Sequence, residues 1–239
     1  MRSDDGTIGR VLTRREALAL LGAGGLAALG GTRRAAAAPP GACVVRPALT
    51  EGPYFVDELL NRSDIRADPT TGVARAGVPL RLKINVNQVS GTSCAPLPGA
   101  MVDVWHCDAA GVYSDAADPG GSTVGQKFLR GYQTTGADGL VGFTTIYPGA
   151  YPGRAVHIHF KVRTGGGGGR AHEFTSQLFF DDALTDQVHA RPPYAGPGAR
   201  RMRNGRDGIY REAGAQLILA VAPSSDGYAG AFDLALQVG

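Results

Sequence analysis

Leu80, Leu82, Ile84 and Val86 alternate one by one with Arg81, Lys83, Asn85 and Asn87. Successive side chains of a strand point to opposite faces, so this strict period of two predicts a β-strand from Pro79 with one face buried and one wet. Shorter runs of the same character recur at 100–105, 128–134, 140–146, 155–163, 174–180 and 232–238. Turn-forming Gly136-Ala137-Asp138-Gly139 and a glycine run at 165–169 separate some of them. Long helical periodicity is missing beyond the first forty or so residues, and regularly spaced strands without helices pack against one another. The expected class is all-β, an antiparallel β-sandwich with long irregular loops. The glycine run is read as a hairpin tip, because it lacks the Lys and Ser/Thr of a phosphate loop and a helix to follow it. The stretch 181–214 is broken by Pro192, Pro193, Gly196, Pro197, Gly198, Gly205 and Gly208. It reads as irregular throughout, and a loop of that length in a compact domain points to one that lines a site.

The N-terminus reads differently. Thr13-Arg14-Arg15-Glu16-Ala17-Leu18 followed by an Ala/Leu/Gly run has the pattern of a twin-arginine export leader, and Ala35 to Ala38 suits a signal peptidase. The expected division is a signal peptide over 1–38 and one β-sandwich domain over 39–239, exported to an extracellular, periplasmic or cell-wall space. The apolar part of the leader is about fifteen residues, short of the roughly twenty that span a bilayer, so no stable membrane anchor is expected. Residues 1–38 hold six arginines against Asp4, Asp5 and Glu16, which accounts for the whole formal charge of +3. The remaining domain is neutral and cannot neutralise a phosphate backbone, so nucleic acid is not an expected partner. Arg200, Arg201, Arg203 and Arg206 read as a solvated loop. Of the three cysteines, Cys107 at the end of a strand is expected to be buried and free. Cys43 and Cys94, both in segments read as irregular, are expected to pair once exported.

Chemistry concentrates in Val156-His157-Ile158-His159-Phe160. Two histidines two apart on a strand project from one face and make a metal pair, while Val156, Ile158 and Phe160 fill the other. Tyrosines lie nearby at Tyr113, Tyr147 and Tyr151. A phenol ionises at neutral pH only where a strong cation stabilises it, and two imidazoles with two phenolates suit Fe(III) better than zinc.

The run Leu97-Pro98-Gly99-Ala100-Met101-Val102-Asp103-Val104-Trp105-His106-Cys107-Asp108-Ala109-Ala110-Gly111-Val112-Tyr113 resembles the signature of the intradiol ring-cleavage dioxygenases. Further segments resemble the family in the family's order: Thr50-Glu51-Gly52-Pro53-Tyr54, Arg130-Gly131, Thr145 to Pro152, Arg154 to Phe160, and Gln177-Leu178-Phe179-Phe180. The resemblance implies a non-haem Fe(III) site held by Tyr113, Tyr151, His157 and His159. It implies that Tyr113 stays on the iron and that Tyr151 departs when substrate binds. Arg154 and Gln177 resemble the pair that borders the bound catechol, and Tyr147 is left outside the set. Five residues separate Tyr151 from His157, fewer than in the protocatechuate enzymes, which leaves the pocket wall and the preferred catechol open. The oligomeric state is open too.

The implied reaction takes a catechol-type ring and O2 to a muconate-type diacid. Two readings of other classes compete with it: a secreted, non-catalytic β-sandwich binding module, and a zinc hydrolase using His157 and His159 with a carboxylate. No flavin, haem or nicotinamide motif is present.

Overall fold

The computed structural model describes residues 43–118, 121–165, 172–194 and 202–237. The leader, its cleavage point, Arg200 and Arg201 lie outside them. The strand predicted from its alternation is β1 (Pro79–Ser90), in which Leu80, Leu82, Ile84 and Val86 are buried and Arg81 and Lys83 exposed. It is the hub of the first sheet, pairing with β2 (Ser93–Pro96) and β7 (Leu140–Ile146) antiparallel and with β11 (Tyr228–Gln237) parallel. The short β10 (Val221–Pro223) closes that sheet against β11. Among the described strands, the parallel β1–β11 pair departs from the otherwise antiparallel scheme. It arises because the last strand returns beside the first instead of through a hairpin.

The second sheet runs β6 (Arg130–Thr134), β3 (Met101–Trp105), β8 (His157–Thr164), β9 (His172–Phe179), all antiparallel. A two-stranded ribbon, β4 (Ala117–Asp118) with β5 (Gly121–Ser122), stands apart. β8 and β9 pair from His157↔Phe179 to Thr164↔His172, and residues 166–169 of the glycine run read as a hairpin tip lie outside the described residues. Leu80, Leu82, Ile84, Val141, Phe143, Phe232 and Leu234 of the first sheet share one core with Val102, Val104, Ile158, Phe160, Val162 and Leu178 of the second. Truncating a residue such as Phe160, wholly buried in that core, is expected to cost about 3–5 kcal/mol.

The stretch 181–214 is not irregular throughout. It contains an α-helix at Asp182–His189, a 3₁₀ turn at Asn204–Arg206, a helix at Gly208–Ala213 and a second 3₁₀ turn at Gly214–Leu217. Asp181 and Asp207 cap the two α-helices, accepting from Leu184 N and from Ile209 N and Tyr210 N. Most of the helix-breaking prolines and glycines fall between the helices, and Gly208 sits at a helix N-terminus, where its cost is small. Arg203 pairs with Asp186 at an exposed position, consistent with a solvated basic loop. No helix among the described residues is long and apolar enough to cross a membrane.

Cys43 and Cys94 form the disulfide, with 5.7 Å between Cα atoms, and Cys107 is free and buried. Cys94 lies in β2 rather than in an irregular segment. Past the bridge, the N-terminal segment runs along both sheets: Ala235 N donates to Val44 O, Ser176 Oγ to Pro47 O, and Leu49 N to Thr175 O.

Candidate metal centre

β8 is buried along both faces. Ile158, Phe160 and Val162 enter the core, whereas His157, His159 and Lys161 point the other way and are covered by loops. The pairing registers put Arg130, Trp105, His159 and Gln177 opposite one another on β6, β3, β8 and β9. Residues directly opposite on adjacent strands share a face, so four side chains form one row across the sheet. Trp105 stacks on the His159 ring at 4.9 Å and 8°.

Segment 50–58 crosses this row and is fastened by charge. Lys161 pairs with Glu51 and Glu173, Arg163 with Asp57 and Asp103, and Lys127 with Glu58. Phe55 packs against Trp105 and beneath the Lys161 ammonium. The buried Arg130 donates to Tyr54 O at 2.6 Å and to Ser114 Oγ at 2.8 Å. It thus ties this segment to the loop that carries Tyr113.

The loops bearing Tyr113 and Tyr151 are laced together. Asp108 Oδ1 accepts from Ala110 N at 2.9 Å and Val112 N at 3.0 Å, while Asp108 O accepts from Gly149 N at 3.1 Å. Gly111 has φ +85°, and a Cβ there would sit 2.2 Å from Ala150 O. Only glycine supplies that backbone and that clearance. Gly111→Ala is therefore expected to displace both tyrosines, seen as a loss of metal content together with a lowered thermal midpoint.

These elements bring together all four residues expected to hold a metal. The His157 and His159 Nε2 atoms are 2.9 Å apart. Tyr151 Oη lies 3.4 Å from His157 Nε2, and the Tyr113 and Tyr151 rings meet edge to face at 5.5 Å. His157 Nδ1 donates to Ala155 O at 2.7 Å, which leaves the Nε2 lone pair turned inward. Tyr113 Oη is buried without a hydrogen-bond partner. His159 Nδ1 is also buried and unpartnered.

Burial holds every one of these groups neutral. It drives the Tyr113 phenol well up and Tyr151 up to about 12, the latter opposed by Arg154. It pushes His157 down to about 3, reinforced by Arg154, and His159 well below the ordinary range. Two neutral imidazoles and two phenols crowded out of water, one phenol without a partner, form a donor set that a strongly charged cation would complete. Its charge would draw both phenols into their anionic form. This donor set fits ferric iron, with hard phenolate oxygens beside imidazole nitrogens. Among the described residues no three His, Cys, Asp or Glu side chains converge, as a zinc site with a carboxylate ligand would require.

Arg154 and Gln177 border the cluster together. Arg154 Nη2 donates to Gln177 Oε1 at 2.6 Å, and Nη1 lies 3.5 Å from Tyr151 Oη. Gln177 Nε2 donates to Thr50 O at 2.8 Å. Tyr147 points elsewhere, its hydroxyl 2.7 Å from Thr185 Oγ1. Sequence reasoning missed Asp207, whose carboxylate grips Arg154 and Ala155 N from the far side. Its N-cap position before Ile209 and Tyr210 was a readable signal, but nothing in the sequence links it to Arg154, 53 residues away.

His106 is buried beneath the same loops, its Nε2 2.7 Å from Thr145 Oγ1 and its Nδ1 2.8 Å from Cys107 O. Burial lowers it from 6.5 to about 4. A histidine depressed in the folded state contributes stability that is complete above its unfolded pKa of about 6.5 and is lost as pH falls towards 4. The metal-free protein should accordingly lose thermal stability progressively over that window. A midpoint that stays flat from pH 6.5 to pH 4 would contradict the buried neutral imidazole.

The sequence pattern of the Dioxygenase family matches residues 50–192, which includes every residue of the cluster. A protocatechuate 3,4-dioxygenase beta chain from Burkholderia cepacia is 35% identical over 104 residues, 40% of this chain and 44% of that one. A catechol 1,2-dioxygenase from Acinetobacter lwoffii is 30% identical over 139 residues, 48% of this chain and 41% of the relative. The chain thus spans less than half the length of these two relatives. Among solved structures, an intradiol ring-cleavage dioxygenase from Tetranychus urticae is 33% identical with a TM-score of 0.68, covering 82% of this chain and 95% of that one.

Proposed function

Because the chain belongs to the intradiol ring-cleavage dioxygenase family, we propose that it is a non-haem Fe(III) enzyme that opens a catechol-type ring with O2. One observation carries this reading. Two loop-borne tyrosines meet two histidines over a single buried sheet face, with an arginine and a glutamine along their edge. Tyr113, Tyr151, His157 and His159 would hold the iron. When bound, ferric iron supplies Lewis acidity that stabilises phenolate and catecholate oxygens.

The protein's own groups do the rest. Tyr151, at the rim of the cluster and half-buried, would, once a bound cation has made it a phenolate, be placed to accept a catechol proton on Oη. Tyr113, fully enclosed, would remain as a holding residue. Arg154 stabilises the negative charge that develops on the ring oxygens, and a guanidinium already fixed by neighbours does so with little reorganisation. Gln177, anchored on Thr50 O, keeps Arg154 at the edge of the site. Trp105 and segment 50–58 exclude water behind His159. The bond between the two hydroxylated carbons breaks, and both oxygen atoms of O2 enter the diacid product.

The test is direct. Purified protein should contain about one iron per chain, absorb in the visible through tyrosinate-to-iron charge transfer, and consume catechol and O2 one for one. A colourless, iron-free protein with no oxygen uptake would defeat the proposal; a colourless zinc protein would favour the hydrolase instead. Tyr151→Phe should keep iron, shift the visible band and slow turnover by about 100-fold, since a positioned proton acceptor contributes typically 10²–10⁴-fold. Loss of all visible absorption in that variant would instead assign the band to Tyr151 alone. We further propose that export by the twin-arginine route, which carries folded proteins, brings the enzyme out already loaded; the arginine pair and the bridged Cys43 and Cys94 support this.

A further inference from the structure

Asp207 is almost wholly buried yet ionisable, and all of its side-chain contacts are donors from two directions. Oδ2 accepts from Arg154 Nε at 2.9 Å and from Ala155 N at 2.7 Å. Oδ1 accepts from Ile209 N at 2.8 Å and Tyr210 N at 3.2 Å, capping the helix Gly208–Ala213. Burial by itself would raise its pKa, but the Ala155 amide and the Arg154 guanidinium outweigh it and hold the carboxyl below the ordinary range. The site residues on the other side of Arg154 complete a chain: Asp207 to Arg154 Nε, Arg154 Nη2 to Gln177, Gln177 to Thr50 O.

The guanidinium is a planar fork, so fixing Nε on one side and Nη2 on the other leaves a single orientation for Nη1. That third nitrogen is the one nearest Tyr151 Oη. Asp207 has a second hold on the site, because Ala155, whose amide it accepts, is the residue whose carbonyl fixes the His157 tautomer.

We infer that Asp207 is a positioning residue for ring cleavage, acting through Arg154: its carboxylate fixes the guanidinium so that Nη1 faces the departing tyrosine and the substrate oxygens. The inference rests on the proposed dioxygenase reading. Asp207 touches neither substrate nor metal. Its effect is on the rate of a step that Arg154 assists, since small displacements of a charge-stabilising group cost about 100-fold.

The test uses the iron-loaded full chain and a double-mutant cycle. Asp207→Asn keeps one oxygen to cap Ile209 N and Tyr210 N, but it removes the charge and turns a donor NH2 towards Arg154 Nε and Ala155 N. It is expected to retain iron and the visible band, to bind catechol without oxygen within about 3-fold of the parent by titration of that band, and to lose about 10- to 100-fold in kcat. In an Arg154→Ala background the same substitution should cost several-fold less than in the parent, because groups acting as a unit are non-additive and only the hold on Ala155 N is then left to lose. An unchanged kcat in Asp207→Asn overturns the inference, and so does an equal loss in both backgrounds. If the Asn variant does not fold, Asp207→Ser, also a strong cap, is measured by the same cycle. A parent protein without iron or oxygen uptake would instead defeat the dioxygenase reading and is recognised before any variant is made.

Discussion

His157→Ala will leave protein that folds but retains no iron. Four side chains form the proposed donor set, and removing one leaves three for an ion that must survive purification. The neighbouring His159 also loses the partner 2.9 Å from its Nε2. His157 is enclosed but lies on the site face rather than in the shared core, which keeps the cost to the fold modest. Metal analysis should give an iron content near zero, the visible band should vanish, and oxygen uptake with catechol should fall to background. Full iron with unchanged turnover would remove β8 from the site. Cavity formation without metal loss would show only as a lowered thermal midpoint, so the two measurements separate a ligand from a packing residue.

The second large effect concerns the bridge. Cys43 and Cys94 are separated by 51 positions, and in the chain-entropy model a bridge closing such a loop stabilises the fold by roughly 4 kcal/mol. For a domain of this size each kcal/mol moves the midpoint by about 2–4 °C, so Cys94→Ser should lower it by about 10 °C. Treatment of the parent with a reductant should do the same. The effect should reach the site, because the tethered segment continues to Thr50, whose carbonyl holds Gln177, and to Gly52 beside His159. An unchanged midpoint, or a mapped peptide joining either cysteine to Cys107, would count against the bridge.

The strands were legible to the extent that they alternate. β1 was recognised from its start, since Leu80, Leu82, Ile84 and Val86 alternate with polar residues, and β7 was bounded to the residue, its Val141 and Phe143 buried and Leu140 and Gly142 exposed. The His157 and His159 pair was visible for the same reason. Two tyrosines among the chain's eight were another matter. Nothing in their immediate neighbours separates Tyr113 and Tyr151 from Tyr147, and only the family resemblance made that choice. Helices of six and eight residues in 181–214 are too short to establish a period amid prolines and glycines, although their Asp caps were there to be read. The row of Arg130, Trp105, His159 and Gln177 depends on which strands become neighbours, a property of chain topology that no local pattern encodes.

That row has a consequence for quality control in the folding chain. Side chains on a strand repeat every two residues, so a slip of β8 by one position against β3 and β9 would turn His157 and His159 into the apolar interior and push Ile158, Phe160 and Val162 outward. Such a molecule would lose its core and its imidazole pair in the same error. On the proposed function, iron uptake would therefore report on more than ligand chemistry: the fraction of chains carrying iron would count the chains whose strands found the correct alignment.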